Sequence, residues 1–171
     1  FAAPAGINVT ESDISVAARV LGEFPEFLKE EQRAPNTLAE LGKKTLQAQA
    51  AGFLGAKVKV GRPRVAEDVA RLAAVREAVG EGFELMVDAN QCFTVAEAMR
   101  RARAFEPFNL AWFEEPLPAE DLGGHAELAA HTSIPIAVGE SLYAPAHFRE
   151  YLEHGACSIV QVDAARIGGI T

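Results

Sequence analysis

Five short segments decide the fold: AKVKVG (56–61), LMVDANQ (85–91), AWFEEP (111–116), IAVGES (136–141) and IVQVDAARIGGIT (159–171). In each segment an apolar run rich in β-forming residues leads to a charged residue, and helical sequence follows. Those charged residues recur at steps of 29, 26, 26 and 23 residues, at Lys59, Asp88, Glu114, Glu140 and Asp163. A strand, a helix and two short loops need about that length, so each step predicts one βα unit.

The order of these units predicts an α/β fold with parallel strands and right-handed crossovers. Two architectures share that order: an open doubly wound sheet and a closed (β/α)8 TIM-type barrel. A doubly wound sheet concentrates function at one switch point, whereas all the strand ends of a barrel surround one mouth. A charged residue at the end of every strand therefore favours the barrel, of which this chain holds only a part.

Two regions are predicted. Residues 1–36 form a poorly defined N-terminal segment. It gives no clear first barrel strand, although Ser12 could cap a helix beginning at Asp13. Residues 37–171 form the partial barrel domain that carries the metal site.

Capping and periodicity signals place the elements within 37–171. Capping boxes at Thr37–Glu40 and Thr94–Glu97 open two of the helices. Helices are predicted over residues 38–51, 65–79, 94–105, 120–131 and 145–154, and strands over 56–60, 84–88, 110–114, 136–139 and 158–163.

Composition narrows the class of protein. The 171 residues are 49% apolar and 23% charged, as in soluble globular proteins, and the net charge of −8 argues against nucleic acid or an anionic membrane as partner. Cys92 and Cys157 form no disulfide framework and have no metal-ligand spacing. No leader sequence or membrane-spanning run is apparent. A cytoplasmic protein is therefore predicted.

Three of the strand-end residues suggest a metal site. Asp88, Glu114 and Glu140 lie on consecutive strands, and three carboxylates there could hold one face of an octahedral Mg²⁺ ion. Any one of them could instead be a surface group or a helix cap, but three in register favour the metal. Glu115 is a weaker ligand candidate because alternation points it to the other face of the sheet or along the rim. Asn90 shares a face with Asp88 and could support it or contact substrate.

Lys57 and Lys59 lie two residues apart, so both point to one side of their strand. If that side is the barrel interior, desolvation and like-charge repulsion favour the neutral amine, and one lysine could act as a general base. The alternative is an exposed edge strand whose lysines oppose aggregation. The neighbouring carboxylates favour the interior.

The remaining polar candidates are less specific. Asp163 could be a further metal ligand, a helix cap or the partner that orients a histidine. The four histidines, His125, His131, His147 and His154, are each predicted to be surface residues, with His125 the best placed to approach a site.

The five segments, in this order and spacing, resemble the mandelate racemase and muconate-lactonizing family of the enolase superfamily over residues 37–171. The resemblance implies that residues 1–36 are a remnant of the linkage to a capping domain. The resemblance implies that Asp88, Glu114 and Glu140 bind Mg²⁺. It also implies that Lys59 is a base, supported by Lys57. Asp163 would belong to a His-Asp dyad whose histidine lies on a later strand, beyond Thr171.

The position of Asp163 also bears on the branch of the family. A lysine stands there in the muconate-lactonizing and epimerase branches, so aspartate resembles the mandelate racemase-type subgroup. Within it, KVKVGRP (57–63), FEPFNLAWFEEPL (105–117) and GHAEL (124–128) look most like dehydratases of acid sugars such as galactarate or talarate.

The resemblance implies Mg²⁺-dependent removal of a proton α to a carboxylate through an enediolate. The substrate would be a small carboxylate, and the reaction the dehydration of an aldarate or aldonate or the racemisation of a 2-hydroxy acid. A homo-oligomer is also implied, and activity is not expected of these 171 residues alone. The alternatives are a cycloisomerase or epimerase, a truncated non-catalytic homologue, and an unrelated barrel lyase with a lysine Schiff base.

Overall fold

The computed structural model describes residues 7–8 and 37–169. The chain divides into two compact units, Phe1–Met86 and Val87–Thr171. The helix expected after Ser12, and most of the N-terminal segment 1–36, lie outside the described residues.

The first unit contains two short parallel strands and two packed helices. Its elements are β1 (Ile7–Asn8), α1 (Leu38–Ala50), β2 (Gly55–Lys59), α2 (Val65–Val79) and the start of β3 (Glu84–Asp88). Ile7 of β1 pairs with Ala56 of β2. Strand β1 could not be predicted, because two residues are too few to show the alternation that marks a strand.

The capping box at the start of α1 is confirmed. The Thr37 hydroxyl accepts the Glu40 N–H at 3.1 Å, and the Glu40 carboxylate accepts the Thr37 N–H at 3.0 Å. The helix ends where predicted, with Gly52 in the left-handed region at a φ of 90°. Its buried face packs against α2, whose Leu72, Val75 and Val79 are also buried.

The second unit holds the remaining βα repeats. Its elements after β3 are α3 (Val95–Phe105), a 3₁₀ turn (Glu106–Phe108), β4 (Trp112–Glu114), α4 (Leu122–His131), β5 (Ile136–Val138), α5 (Pro145–Glu153) and β6 (Ile159–Val160). Strands β4, β5 and β6 pair in parallel. The predicted parallel α/β fold is therefore confirmed.

Aromatic rings build the core beneath the strands of this unit. Phe113 of β4 meets Phe93 and Phe105 edge-on, with ring centroids 6.2 and 5.8 Å away. The guanidinium of Arg101 lies 4.5 Å from the centroid of the Phe93 ring. This packing fixes the strand ends from which the site residues project.

Two predictions need correction. The Thr94 hydroxyl does accept the Glu97 N–H, at 3.4 Å, but the Glu97 carboxylate turns to Arg100 and Arg101, at 2.7 and 2.6 Å. The reciprocal half of the capping box is lost because the two guanidinium groups are stronger donors than a backbone N–H. The last strand, expected over residues 158–163, covers only Ile159–Val160.

Candidate functional site

Three carboxylates lie at the carboxyl ends of consecutive strands in the second unit. Asp88 is the last residue of β3 and is 1% exposed, and Glu114 is the last residue of β4 and is 2% exposed. Glu140 lies two residues beyond β5 and is half-buried. The Ala89 N–H donates to the Glu114 carbonyl at 3.0 Å, which keeps the first two strand ends in register. Burying carboxylates is costly unless their charge is compensated.

Hydrogen bonds orient each of these carboxylates. The Asn90 backbone N–H donates to Asp88 Oδ1 at 2.9 Å, and the Trp112 indole donates to Glu114 Oε2 at 3.1 Å. The Asn90 side-chain amide donates to Glu140 Oε1 at 3.4 Å. Asn90 thus supports two of the three carboxylates.

The chemistry of these donors fits Mg²⁺, a hard cation that prefers carboxylate oxygen and retains water ligands. Among residues 7–8 and 37–169, however, no group of three or more His, Cys, Asp or Glu side chains has the arrangement needed to hold a metal ion. The type of donor and the order of the strands support a magnesium site. In the described part of the chain, however, the three carboxylates are not gathered into a set that could hold the ion.

Gln91 was not singled out from the sequence, yet its side-chain amide makes several hydrogen bonds near the carboxylates. Its amide contacts Ser141, Glu115 and the backbone of Ala119. Glu115, which was predicted to turn away from the site, is buried in contact with this amide. The only signal in the sequence was a second amide directly after Asn90.

The lysines of β2 lie in the first unit. Lys57 is 7% exposed, Val58 is buried and Lys59 is half-buried. Because Lys57 is buried and β2 pairs with β1, the alternative of lysines on the wet face of an exposed edge strand is wrong. Val58, on the opposite side of β2, is buried as well, so the barrel interior as the environment of the lysines stays a prediction.

Asp68 of α2 fixes the loop that follows Lys59. Its Oδ2 atom accepts the N–H groups of Gly61 and Arg62 at 2.8 and 3.0 Å. Arg71 bridges Asp68 Oδ1 to the carbonyl oxygen of Lys59. Burial lowers the pKa of the Arg71 guanidinium from its ordinary value. The end of β2 is thus held by a buried ion pair from the next helix.

Asp163 lies in a turn beyond β6 and acts there as a cap. Its Oδ1 atom accepts the N–H groups of Ala165 and Arg166 at 2.8 and 3.2 Å, and Oδ2 lies 3.6 Å from Arg166 Nε. Arg166 Nη1 also donates to the Glu140 carbonyl at 2.8 Å. Of the roles considered from the sequence, helix or turn capping describes these contacts.

The prediction that every histidine is a surface residue is wrong for His125. His131, His147 and His154 are exposed, but His125 in α4 is completely buried against Tyr151, with ring centroids 5.3 Å apart. Burial lowers the pKa of His125, so the ring is kept neutral. Its Nδ1 atom bonds the Asp121 carbonyl and the Tyr151 hydroxyl, which makes it a core residue.

A sequence model of the enolase C-terminal domain-like family matches residues 40–171. The chain belongs to this family. The resemblance to the mandelate racemase and muconate-lactonizing enzymes is therefore confirmed, and with it the relation of this α/β fold to the TIM-barrel proteins of the enolase superfamily.

Individual members of the family are close in sequence and structure. The L-talarate/galactarate dehydratase of Salmonella typhimurium is 51% identical over 120 residues, which are 70% of this chain and 30% of that protein. The 3,6-anhydro-alpha-L-galactonate cycloisomerase of Streptomyces coelicolor is 44% identical over 71% of this chain and 34% of that protein. A crystal structure of the Salmonella typhimurium dehydratase liganded with Mg and L-lyxarohydroxamate superposes with a TM-score of 0.75 at 47% identity, covering 79% of this chain and 34% of that one.

The chain spans about a third of the length of these relatives. Within residues 7–8 and 37–169, no helix is long and apolar enough to cross a membrane.

Proposed function

We propose that the natural protein carrying this sequence is an Mg²⁺-dependent acid-sugar dehydratase. It would remove the proton α to the carboxylate of an aldarate or aldonate and expel the β-hydroxyl as water. The resulting enol would become a 2-keto-3-deoxy acid. The observation that carries the proposal is the sequence of oxygen donors at consecutive strand ends: Asp88, Glu114 and Glu140.

The relatives support the class of substrate. The dehydratase that is 51% identical is named for two acid sugars, talarate and galactarate, and its crystal structure holds Mg together with a sugar-acid hydroxamate. Identity at this level over 70% of the chain supports the same kind of ligand for this scaffold.

Asp88, Glu114 and Glu140 would hold Mg²⁺, with Asn90 and Trp112 orienting the carboxylates through the hydrogen bonds described above. Mg²⁺ supplies Lewis acidity: it neutralises the negative charge that develops on the substrate carboxylate as the α-proton leaves.

Lys59 would accept the α-proton on one face of the substrate. Lys57, which is buried and lies on the same side of β2, would support it. The bonds from Asp68 and Arg71 to the end of β2 would keep the Lys59 main chain in place. Asp163 would orient a histidine supplied by later sequence, which would protonate the departing hydroxyl.

A cycloisomerase is the second candidate, favoured by the 44% identity to the 3,6-anhydro-alpha-L-galactonate enzyme. Both reactions can begin with loss of an α-proton, so the product distinguishes them: dehydration releases water, whereas a cycloisomerisation leaves the mass of the substrate unchanged. Cytoplasmic location and a homo-oligomeric state are further parts of the proposal.

The test is α-proton exchange in D₂O, followed by NMR and mass spectrometry, with Mg²⁺ and a panel that includes galactarate and talarate. The wild-type natural protein should exchange the α-proton and lose water from at least one acid sugar. Lys59→Ala should abolish exchange, while Lys43→Ala, an exposed lysine of α1, should not affect it. Unchanged exchange in Lys59→Ala would remove this lysine from the role of base. Retention of hydride after borohydride treatment with substrate would instead favour a Schiff-base lyase.

A further inference from the structure

We propose that Gln91 is a positioning residue that holds the three carboxylate-bearing strand ends in one relative arrangement and thereby sets the affinity for Mg²⁺. This inference rests on the proposed function, because it concerns the ligands assigned there. Gln91 itself is not proposed to touch the metal or the substrate.

The side-chain amide of Gln91 makes three contacts with two other loops. Its Oε1 atom accepts the Ala119 N–H at 2.8 Å, and its Nε2 atom donates to Ser141 Oγ at 2.7 Å. Nε2 also lies 3.4 Å from Glu115 Oε2. The Ala119 N–H can only donate, so it fixes which end of the amide is oxygen and leaves the nitrogen facing Ser141 and Glu115.

Three residues joined by these contacts lie close in sequence to a proposed metal ligand. Gln91 lies three residues after Asp88, Glu115 follows Glu114, and Ser141 follows Glu140. One amide therefore connects the loops after β3, β4 and β5. A displacement of any one loop would stretch at least one of these hydrogen bonds.

The backbone around this amide adopts conformations that ordinary residues avoid. The φ angles of Asn90, Gln91 and Glu115 are 45°, 63° and 38°, all in the left-handed region. The Gln91 N–H also donates to the Glu115 carbonyl at 2.7 Å. A residue with a side chain costs free energy when its backbone is in the left-handed region. Such a conformation persists only where surrounding contacts stabilise it, which is typical of functional sites. Here the strained turn directs the Gln91 side chain across the strand ends.

Several backbone bonds would survive loss of the amide. Ala89 would still donate to the Glu114 carbonyl, Gln91 to the Glu115 carbonyl and Glu115 to the Ala137 carbonyl. The strands should therefore remain paired in a variant that lacks the amide, while the carboxylates beyond them gain freedom. Loss of a residue that orients metal ligands without touching the metal typically weakens metal binding by about 10- to 100-fold.

The experiment compares Mg²⁺ affinity in five forms of the natural protein, by calorimetric titration with MgCl₂: the wild type, three single variants and one double variant. Gln91→Met keeps the length of the side chain and removes its amide. Gln49→Met is the matched control, because the Gln49 amide makes one hydrogen bond, to the Val79 carbonyl at 3.0 Å, at the end of α1. Ser141→Ala removes only the acceptor hydroxyl, so it tests the same link if Gln91→Met fails to fold.

Gln91→Met should raise the Kd for Mg²⁺ by about tenfold or more. Ser141→Ala should raise it several-fold, and Gln49→Met should leave it within about twofold of the wild-type value. The effect of Ser141→Ala should be smaller in a Gln91→Met background, because the two residues form one hydrogen bond. Saturating Mg²⁺ should restore most of kcat in Gln91→Met, because the loss lies in the affinity for the metal. The free energy of unfolding without Mg²⁺, measured in urea, should differ little between Gln91→Met and Gln49→Met, which separates lost affinity from general destabilisation.

If the wild-type protein binds Mg²⁺ and either Gln91→Met or Ser141→Ala binds it equally well, the inference about Gln91 is overturned and the proposed function is not. Wild-type protein that binds no Mg²⁺ would overturn the proposed function and the inference together. The two failures are therefore distinguishable.

Discussion

The indole Nε1 of Trp112 donates a hydrogen bond to Glu114 Oε2 at 3.1 Å, from a position two residues earlier on the same strand. Residues two apart on a strand project to the same side, so the indole and the carboxylate are side by side. The bond holds one oxygen of a buried carboxylate and so helps to orient that carboxylate.

Trp112→Phe should weaken Mg²⁺ binding by about tenfold, because the Glu114 carboxylate loses the donor that orients it while the aromatic packing is largely kept. Calorimetric titration of the variant with MgCl₂ measures the effect. Tyr143→Phe, which changes an exposed aromatic side chain, is the control and should bind as the wild type does. Equal affinity in Trp112→Phe and wild type would show that the indole does not support the ligand.

Arg101 and Arg100 both bind Glu97, yet they should contribute very differently to stability. Arg101 is 3% exposed and stacks on Phe93, whereas Arg100 is 64% exposed. Arg101→Ala should lower the free energy of unfolding by about 2 kcal/mol, through the lost buried ion pair and the lost stacking on the ring. Arg100→Ala should change it by about 0.5 kcal/mol or less. Urea unfolding measures the loss of stability in both variants. Equal losses in Arg101→Ala and Arg100→Ala would contradict this prediction.

His125 should make the protein less stable as the pH falls. Burial lowers the pKa of His125 from its ordinary value of 6.5, so below that pH the unfolded chain binds a proton that the folded chain does not. Since stability rises with pH wherever the unfolded state binds more protons, the free energy of unfolding should decline from pH 7 to pH 5, by at most about 1.4 kcal/mol per pH unit from this group. His125→Asn should show a shallower decline in urea unfolding over this range.

Tyr151→Phe provides the control for this prediction. It removes the hydroxyl that donates to the Ala119 carbonyl at 2.8 Å and lies 3.2 Å from His125 Nδ1. It keeps the imidazole buried, and burial is the main cause of the lowered pKa of His125. The variant should lose about 1 to 2 kcal/mol of stability while it keeps the wild-type dependence on pH. If the free energy of unfolding falls as steeply with pH in His125→Asn as in the wild type, the loss of stability in acid comes from other groups.

Strong local patterns made most of the fold predictable. The bounds of α2 and β3 agree with those predicted, because α2 has helical periodicity ended by Gly80, and β3 is a short apolar run that ends in a charged residue. The positions of Asp88 and Glu114 follow from the same patterns. Strand ends in parallel βα repeats are marked in the sequence by the change from apolar to charged residues.

The features that could not be predicted depend on contacts between distant residues. Gln91 reaches Ser141 across 50 positions of sequence, and an isolated amide has no periodicity to reveal such a contact. His125 is buried because Gly124 allows α4 close to its neighbours: a Cβ atom on Gly124 would lie 2.7 Å from Val95 Cγ2. In the sequence the two glycines before His125 indicated only a weak helix.

The measurement that tests the central claim most directly is calorimetric titration of the natural protein with MgCl₂, beside the variants Asp88→Asn, Glu114→Gln and Glu140→Gln. Each substitution removes one carboxylate with little change in size. The account predicts saturable Mg²⁺ binding by the wild type and loss of about tenfold or more in affinity in each variant. Glu120→Gln, which changes an exposed carboxylate in the same unit, should bind as the wild type does. A wild-type protein that binds no Mg²⁺, or three variants that bind it as tightly as the wild type, would contradict the assignment of these strand ends as a metal site.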